Sequence, residues 1–288
     1  MIKGLGTALI TPFKADKSVD FDALARLLDT QLTGFVDYIV VLGTTGEAAT
    51  MTVEEKREVR TFIHKYVDGR LPLVLGVGGN NTAAVCETLK NIDLTGFEAI
   101  LSVCPYYNKP NQEGLYQHFC AVAKASPVPV ILYNVPGRTG VNLLPETVMR
   151  IYEAHPDKIV GIKEASGNVE QIKRLIALSQ ESRVKSQEPL LVICGDDGIA
   201  CEIMEAGGAG LISVASNAFP EDFWHIVHKK DRALQTKYEE MVRLLFKEGN
   251  PVGIKAVLAQ KGIIQNYLRL PLVPASKELE EEIKKELA

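Results

Sequence analysis

The stretch Ile159-Val160-Gly161-Ile162-Lys163-Glu164 is a short apolar run that ends in two charged residues. A run of this length with β-branched side chains is typical of a buried strand. Seven further runs of the same kind occur along the chain. With the first, they give eight candidate strands at 4–10, 38–42, 73–77, 99–103, 130–133, 159–163, 190–194 and 210–214.

Segments with helical periodicity lie between these runs, at 21–32, 53–66, 82–92, 114–124 and 169–178. Strict alternation of strand and helix predicts a parallel sheet with helices outside it. An open doubly wound sheet has the same alternation, but eight units of similar length favour an α/β fold closed into a (β/α)8 TIM barrel.

The alternation stops after Asn217. Three helices are predicted beyond it, at 221–249, 252–264 and 277–288, separated by turns at Asn250-Pro251 and Leu270-Pro271. We therefore predict a catalytic barrel over residues 1–225 and a C-terminal helical region over residues 226–288.

Composition restricts the class of protein. The chain has 288 residues, 46% of them hydrophobic, which is enough to bury the core of one large domain. A net charge of -4 from interspersed acids and bases provides no basic face for nucleic acid. We expect neither a signal peptide nor a transmembrane stretch. The five cysteines form no Cys-x-x-Cys pair, which argues against a disulfide framework or a zinc site and favours the cytoplasm.

Lys163 closes the sixth candidate strand. In such barrels the reacting groups lie at the carboxyl ends of strands. Side chains alternate along a strand, so if Val160 and Ile162 meet the helices, Lys163 points into the barrel. An inward ammonium loses hydration, which favours the neutral amine that attacks a ketone. Anion binding is the alternative, because many inward lysines do only that. Pairing with Glu164 is poor, since adjacent residues face opposite ways.

Three other strand ends carry polar residues. Tyr133 has the same inward geometry as Lys163, and its hydroxyl could relay protons; a tyrosine of an aromatic core layer is the alternative. Thr44 and Thr45 lie between two glycines, which permit a tight turn. The backbone amides of this turn could bind a carboxylate, or the segment could be an ordinary turn. Arg138 follows a Pro-Gly turn, from which it could clamp a carboxylate or simply lie on the surface.

Together these strand ends resemble the dihydrodipicolinate synthase and N-acetylneuraminate lyase superfamily. The motifs that carry the resemblance are Gly43-Thr44-Thr45-Gly46-Glu47, Tyr133-Asn134-Val135-Pro136 and Gly161-Ile162-Lys163-Glu164, and the match runs over essentially the whole chain. The superfamily has a (β/α)8 barrel with a C-terminal helical extension, in agreement with the fold predicted above.

The resemblance implies a role for each of these residues. Lys163 would form the Schiff base, Tyr133 would donate and accept the proton, and Thr44 would be its relay partner. Tyr107 would complete the relay from a neighbouring subunit. Thr45 and Ile212 match positions that hold pyruvate. The implied oligomer is a homotetramer built as a dimer of dimers.

Arg138 favours one branch of the superfamily. It matches the synthase arginine that binds aspartate semialdehyde, and sialic acid lyases and keto-deoxy sugar acid aldolases are less similar there. The resemblance thus implies a lyase that condenses pyruvate with aspartate semialdehyde in diaminopimelate and lysine biosynthesis, with no metal and no cofactor beyond the covalent pyruvate. The alternatives are another pyruvate-dependent aldolase of this superfamily and a non-catalytic carboxylate-binding barrel.

The sequence departs from the lysine-sensitive members of the family at the cleft that binds the inhibitor. Asn80 and Tyr106 match that cleft. The positions that correspond to a serine, two histidines and a glutamate are instead Ala48, Val53, Lys56 and Ala84. Most of the polar partners of the inhibitor are therefore missing.

We predict that free lysine is a poor inhibitor of this protein. If free lysine bound in this cleft, its ammonium would lose water without gaining an acceptor in exchange. Lys56 would add like-charge repulsion. One lost charged hydrogen bond corresponds to about 1.5 to 3 kcal/mol, or roughly tenfold to a hundredfold in affinity. Activity measured against lysine concentration checks this, and potent inhibition at sub-millimolar lysine would contradict it.

Overall fold

The chain forms eight short strands, each at one of the predicted positions. The computed structural model describes residues 2–182 and 189–288. The strands are β1 Gly4–Ala8, β2 Tyr38–Val41, β3 Leu73–Gly76, β4 Ala99–Val103, β5 Val130–Asn134, β6 Ile159–Glu164, β7 Leu191–Cys194 and β8 Gly210–Ser213.

The strands are neighbours in chain order, β1 to β8, in one closed barrel. Every pair whose register is known is parallel. Parallel strands buried on both faces read as continuous apolar runs, and this explains why short runs such as Val130-Ile131-Leu132, all fully buried, marked them in the sequence. The prediction of a closed (β/α)8 barrel is confirmed.

Helices follow the strands. Those of the barrel are α1 Phe21–Thr33, α2 Val53–Val67, α3 Thr82–Asn91, α4 Gln112–Ala125, α5 Pro136–Thr139, α6 Pro145–Ala154, α7 Val169–Glu181 and α8 Ala200–Glu205. Those that follow β8 are α9 Pro220–Lys229, α10 Arg232–Lys237, α11 Glu239–Lys247, α12 Val252–Gln260 and α13 Lys277–Glu286. A helical extension beyond the barrel strands is therefore confirmed.

The prediction of a single helix over 221–249 is wrong. Lys230 adopts the left-handed conformation, with φ of 53°, and ends α9. The side chain of Asp231 then caps α10 by accepting a hydrogen bond from Leu234 N at 3.0 Å. A second break at Tyr238 separates α10 from α11. Neither break contains glycine or proline, although four charged residues at 229–232 interrupt the apolar pattern at the first break.

The chain divides into two compact units. One consists of Met1–Leu73 and Ser213–Ala288, and the other of Val74–Ile212. The first unit thus contains β1, β2 and the C-terminal helices, whereas β4 to β7 lie in the second. Among the described residues, no helix is both long and apolar enough to cross a membrane.

Glu55 is shared by two interactions in the first unit. Its carboxylate accepts a hydrogen bond from Thr52 N at 2.9 Å and completes the capping box that begins α2. The same carboxylate receives two hydrogen bonds from the Arg269 guanidinium, at 2.5 and 2.7 Å. The Arg269 bonds, followed by that from Thr52, lower the pKa of Glu55 from 4.5 to about 2. One carboxylate therefore connects the start of α2 to the segment that follows α12.

We expect Glu55→Gln to reduce the free energy of unfolding at pH 7 by on the order of 1 to 3 kcal/mol, because a charged, bidentate interaction is lost. The folded-state pKa of Glu55 is depressed, so its contribution is complete above the unfolded value of 4.5 and is lost as pH falls through about 2. Denaturant unfolding of the wild-type protein and of the variant, between pH 7 and pH 2, measures this loss of stability. Glu54→Gln, an exposed change in the same turn, is the control, and a loss independent of pH would contradict the assignment.

Candidate functional site

Lys163 and Tyr133 face each other across β5 and β6. The parallel register places Tyr133 opposite Lys163 and Asn134 opposite Glu164. Lys163 Nζ lies 4.7 Å from the centroid of the Tyr133 ring. Both side chains are buried, Lys163 at 6% exposure. The predicted inward lysine and inward tyrosine are therefore brought together.

Glu164 points away from this pair and is occupied by other donors. Its carboxylate accepts hydrogen bonds from Asn134 Nδ2 at 2.9 Å, Gln171 Nε2 at 3.1 Å and Ser166 N at 2.8 Å. Within the described part of the chain, Lys163 forms no ion pair with a carboxylate within 4.0 Å. Lys163 and Glu164 are therefore not paired with each other, and a buried amine without a carboxylate beside it is suited to act as a nucleophile.

Gly195 contributes to the site because it has no side chain, a role that was not predicted from the sequence. It follows β7, the neighbour of β6, and a Cβ at this position would lie 2.6 Å from Ala165 Cβ and 3.0 Å from Lys163 Cε. Only glycine leaves this space to the lysine stem. The available signal was a glycine directly after a strand adjacent to the lysine strand.

The remaining predicted residues of the second unit lie in a barrel strand or in the segments that follow strands. Arg138 is exposed on α5, the short helix that follows β5. Ile212 is buried in β8. Tyr107 is 89% exposed and has φ of 74° in the segment after β4. An exposed tyrosine in a strained backbone conformation does not form part of the buried pair of its own chain.

Thr44 and Thr45 form a single 3-10 turn, Thr44–Gly46, after β2 in the first unit. Thr44 is exposed, whereas Thr45 is 2% exposed. Thr45 Oγ1 accepts a hydrogen bond from Asn250 Nδ2 at 2.9 Å. The C-terminal region thus reaches the predicted anion-binding turn, a contact that the sequence analysis did not anticipate.

A buried ion pair anchors the residue that follows this turn. Glu47 is in the left-handed conformation, with φ of 53°, and its carboxylate pairs with the ammonium of Lys255 on α12; both side chains are fully buried. Lys255 also donates to Tyr267 O at 3.0 Å and lies over the Phe13 ring. Burial, only partly offset by Glu47, lowers the pKa of Lys255 to about 8.

Other reactive groups are occupied or inert. The Cys194 thiol is buried and donates to Asp196 O at 3.2 Å, and burial raises its pKa to about 12. The His228 ring pairs with Asp37 and stacks on Trp224. Over residues 2–182 and 189–288, no group of three or more histidine, cysteine, aspartate or glutamate side chains is arranged to hold a metal ion.

Comparison with known sequences is consistent across the whole chain. The model of the dihydrodipicolinate synthetase family matches residues 1–288. The 4-hydroxy-tetrahydrodipicolinate synthase of Parabacteroides distasonis is 49% identical over 95% of this chain and 92% of its own. That of Thermotoga neapolitana is 41% identical over 99% of this chain and 97% of its own.

Solved structures agree with the sequence comparison. The dihydrodipicolinate synthase of Thermotoga maritima superposes with a TM-score of 0.94 at 39% identity, covering 100% of this chain and 98% of its own. The chloride-inhibited dihydrodipicolinate synthase of Acinetobacter baumannii, complexed with pyruvate, has a TM-score of 0.93 at 38% identity, with coverage of 100% and 98%.

We expect Gly195→Ala to reduce the reactivity of Lys163 at least tenfold, because the new methyl group displaces its stem and a small misplacement of a reacting group is costly. The rate at which pyruvate and borohydride label Lys163 measures this. When Ala165→Gly is combined with Gly195→Ala, the clash of the new methyl group with Ala165 Cβ, at 2.6 Å, is removed. The close contact with Lys163 Cε, at 3.0 Å, remains. The double variant should thus regain stability without regaining the labelling rate; wild-type labelling in Gly195→Ala would contradict this role.

Proposed function

The chain belongs to the dihydrodipicolinate synthetase family, and we propose that it condenses pyruvate with aspartate semialdehyde through a Schiff base on Lys163. The observation that carries the proposal is the buried Lys163 amine, which has Tyr133 beside it and no carboxylate partner among the described residues. The product is 4-hydroxy-tetrahydrodipicolinate, in the diaminopimelate branch of lysine biosynthesis.

The chemistry begins at Lys163 Nζ. The neutral amine adds to the keto carbon of pyruvate, and loss of water leaves an iminium ion. The iminium withdraws electrons, so a proton leaves the methyl carbon and an enamine forms. The enamine carbon then bonds to the aldehyde carbon of aspartate semialdehyde. Finally, the amino group of that substrate displaces Lys163 by transimination, which closes the ring and restores the free lysine. No metal and no further cofactor enters these steps.

A proton relay serves these steps. Tyr133 is placed beside the lysine amine, and its phenol can pass protons to and from the reacting carbons. The family resemblance assigns Thr44 as its relay partner. It assigns Tyr107 to the site of a neighbouring subunit, and the 89% exposure of Tyr107 in a single chain supports that assignment. We propose that the active form is a homotetramer, a dimer of dimers.

Substrate carboxylates need donors. We assign Thr45 and Ile212 to pyruvate, the former through its hydroxyl and the latter by apolar packing. Arg138, exposed on α5, is assigned to the carboxylate of aspartate semialdehyde, where a planar guanidinium can make two parallel hydrogen bonds.

All five cysteines are free thiols, and we propose the cytoplasm as the compartment, since thiols stay reduced there.

The experiment that tests the proposal is reductive trapping. Borohydride with pyruvate should add a stable mass to the peptide that carries Lys163, because reduction converts the imine to a secondary amine. Peptide mass spectrometry locates the label. Lys255→Arg is a matched control that keeps a second buried cation and should still be labelled at Lys163. A label on another lysine, or none, would show that the mechanism is wrong.

A second prediction concerns Arg138→Lys. Lysine keeps the charge but not the planar fork. We expect kcat/KM for aspartate semialdehyde to fall. The fall should correspond to about 1.5 to 3 kcal/mol of lost transition-state stabilisation, the contribution of one hydrogen bond to a charged group. Trapping of pyruvate on Lys163 should be almost unchanged. Steady-state kinetics with each substrate varied in turn measures both effects, and equal impairment of imine formation would refute the assignment.

A further inference from the structure

A hydrogen bond from the C-terminal region ends on the hydroxyl of Thr45. Asn250 lies between α11 and α12 and is 7% exposed. Its Nδ2 lies 2.9 Å from Thr45 Oγ1, with both groups buried and 205 residues apart in sequence. The bond therefore exists only because the C-terminal region packs against the turn after β2.

The direction of this bond determines what Thr45 can do. A hydroxyl has one proton to donate and two lone pairs that accept. The Asn250 amide donates and uses a lone pair of Thr45 Oγ1, so the Thr45 proton remains available for another partner. A carboxylate only accepts hydrogen bonds, so a hydroxyl whose proton is available suits it.

We propose that Asn250 is a positioning residue that holds the Thr45 hydroxyl as a hydrogen-bond donor to the carboxylate of pyruvate. The inference rests on the proposed function, in which Thr45 binds that carboxylate. Asn250 itself acts only through Thr45.

The backbone of the turn is held by other contacts. Thr11 Oγ1 donates to Gly46 O at 2.8 Å. The carboxylate of Glu47 pairs with Lys255 and accepts Arg269 N at 3.1 Å. Because these contacts do not involve Asn250, its replacement should leave the turn in place while it changes the hydrogen-bonding state of Thr45.

The first test is Asn250→Asp, which keeps the size of the side chain but replaces the donor with an acceptor. The new carboxylate would then accept a hydrogen bond from the Thr45 hydroxyl, so that proton would no longer be available to pyruvate. We expect the pyruvate concentration that half-saturates borohydride trapping on Lys163 to rise about tenfold to a hundredfold. The KM for aspartate semialdehyde and the maximal rate should change far less. Gln260→Glu is the matched control, an exposed amide in the same region that donates to Glu280 O, and it should behave as wild type.

A double-mutant cycle with Thr45→Val separates this effect from charge repulsion. A new carboxylate repels pyruvate whether or not Thr45 is present, whereas the lost proton matters only when the hydroxyl is there. The penalty of Asn250→Asp should therefore be about tenfold smaller in the Val background. Asn250→Leu, which is uncharged, should weaken pyruvate binding in the Thr45 chain and have no effect in the Val chain; circular dichroism and thermal unfolding establish that each variant is folded.

The outcomes are distinguishable. Equal penalties in the Thr45 and Val backgrounds, or wild-type pyruvate saturation in both folded Asn250 variants, would overturn the role of Asn250 while leaving the proposed function intact. If Thr45→Val alone leaves pyruvate saturation unchanged, the assignment of Thr45 to pyruvate is wrong, and the inference fails with it.

Discussion

The parallel register of β5 and β6 is the constraint on which the site depends. It sets Tyr133 opposite Lys163 and Asn134 opposite Glu164. Since side chains alternate along a strand, the amine and the phenol share one face while the carboxylate and the amide share the other. A shift by one residue would place Glu164 beside Tyr133 and bury the lysine among the helices. Register therefore keeps a nucleophilic amine apart from the carboxylate next to it in sequence.

Two buried lysines of this chain show how surroundings decide a role. Lys255 is fully buried against the carboxylate of Glu47 and the ring of Phe13, and it connects α12 to the turn after β2. Removal of either charge would leave the other uncompensated, so this pair serves structure. Lys163 is also buried, but its amine lies over the neutral Tyr133 ring and forms no ion pair with a carboxylate among the described residues. An amine without a counter-charge is the one suited to covalent chemistry.

The C-terminal helices hold the predicted anion-binding turn as well as extending the barrel. Asn250, Lys255 and Arg269 each send a hydrogen bond or ion pair to Thr45 or Glu47. The turn itself offers two short hydroxyl side chains and a left-handed residue at Glu47, a conformation that needs outside support. These long-range polar contacts hold the turn in addition to the barrel's own contacts.

The sequence by itself predicted the closed barrel, the common face of Lys163 and Tyr133, and the family to which their motifs belong. It could do so because a buried parallel strand is apolar throughout and alternates with a period of two, so that local order specifies both the element and its faces. Only the tertiary structure decided the space that Gly195 leaves for Lys163, the bond from Asn250 to Thr45 and the breaks in the helix predicted over 221–249. The first two are contacts between residues far apart in the chain. The breaks are backbone choices at Lys230 and Tyr238 that have no glycine or proline to mark them.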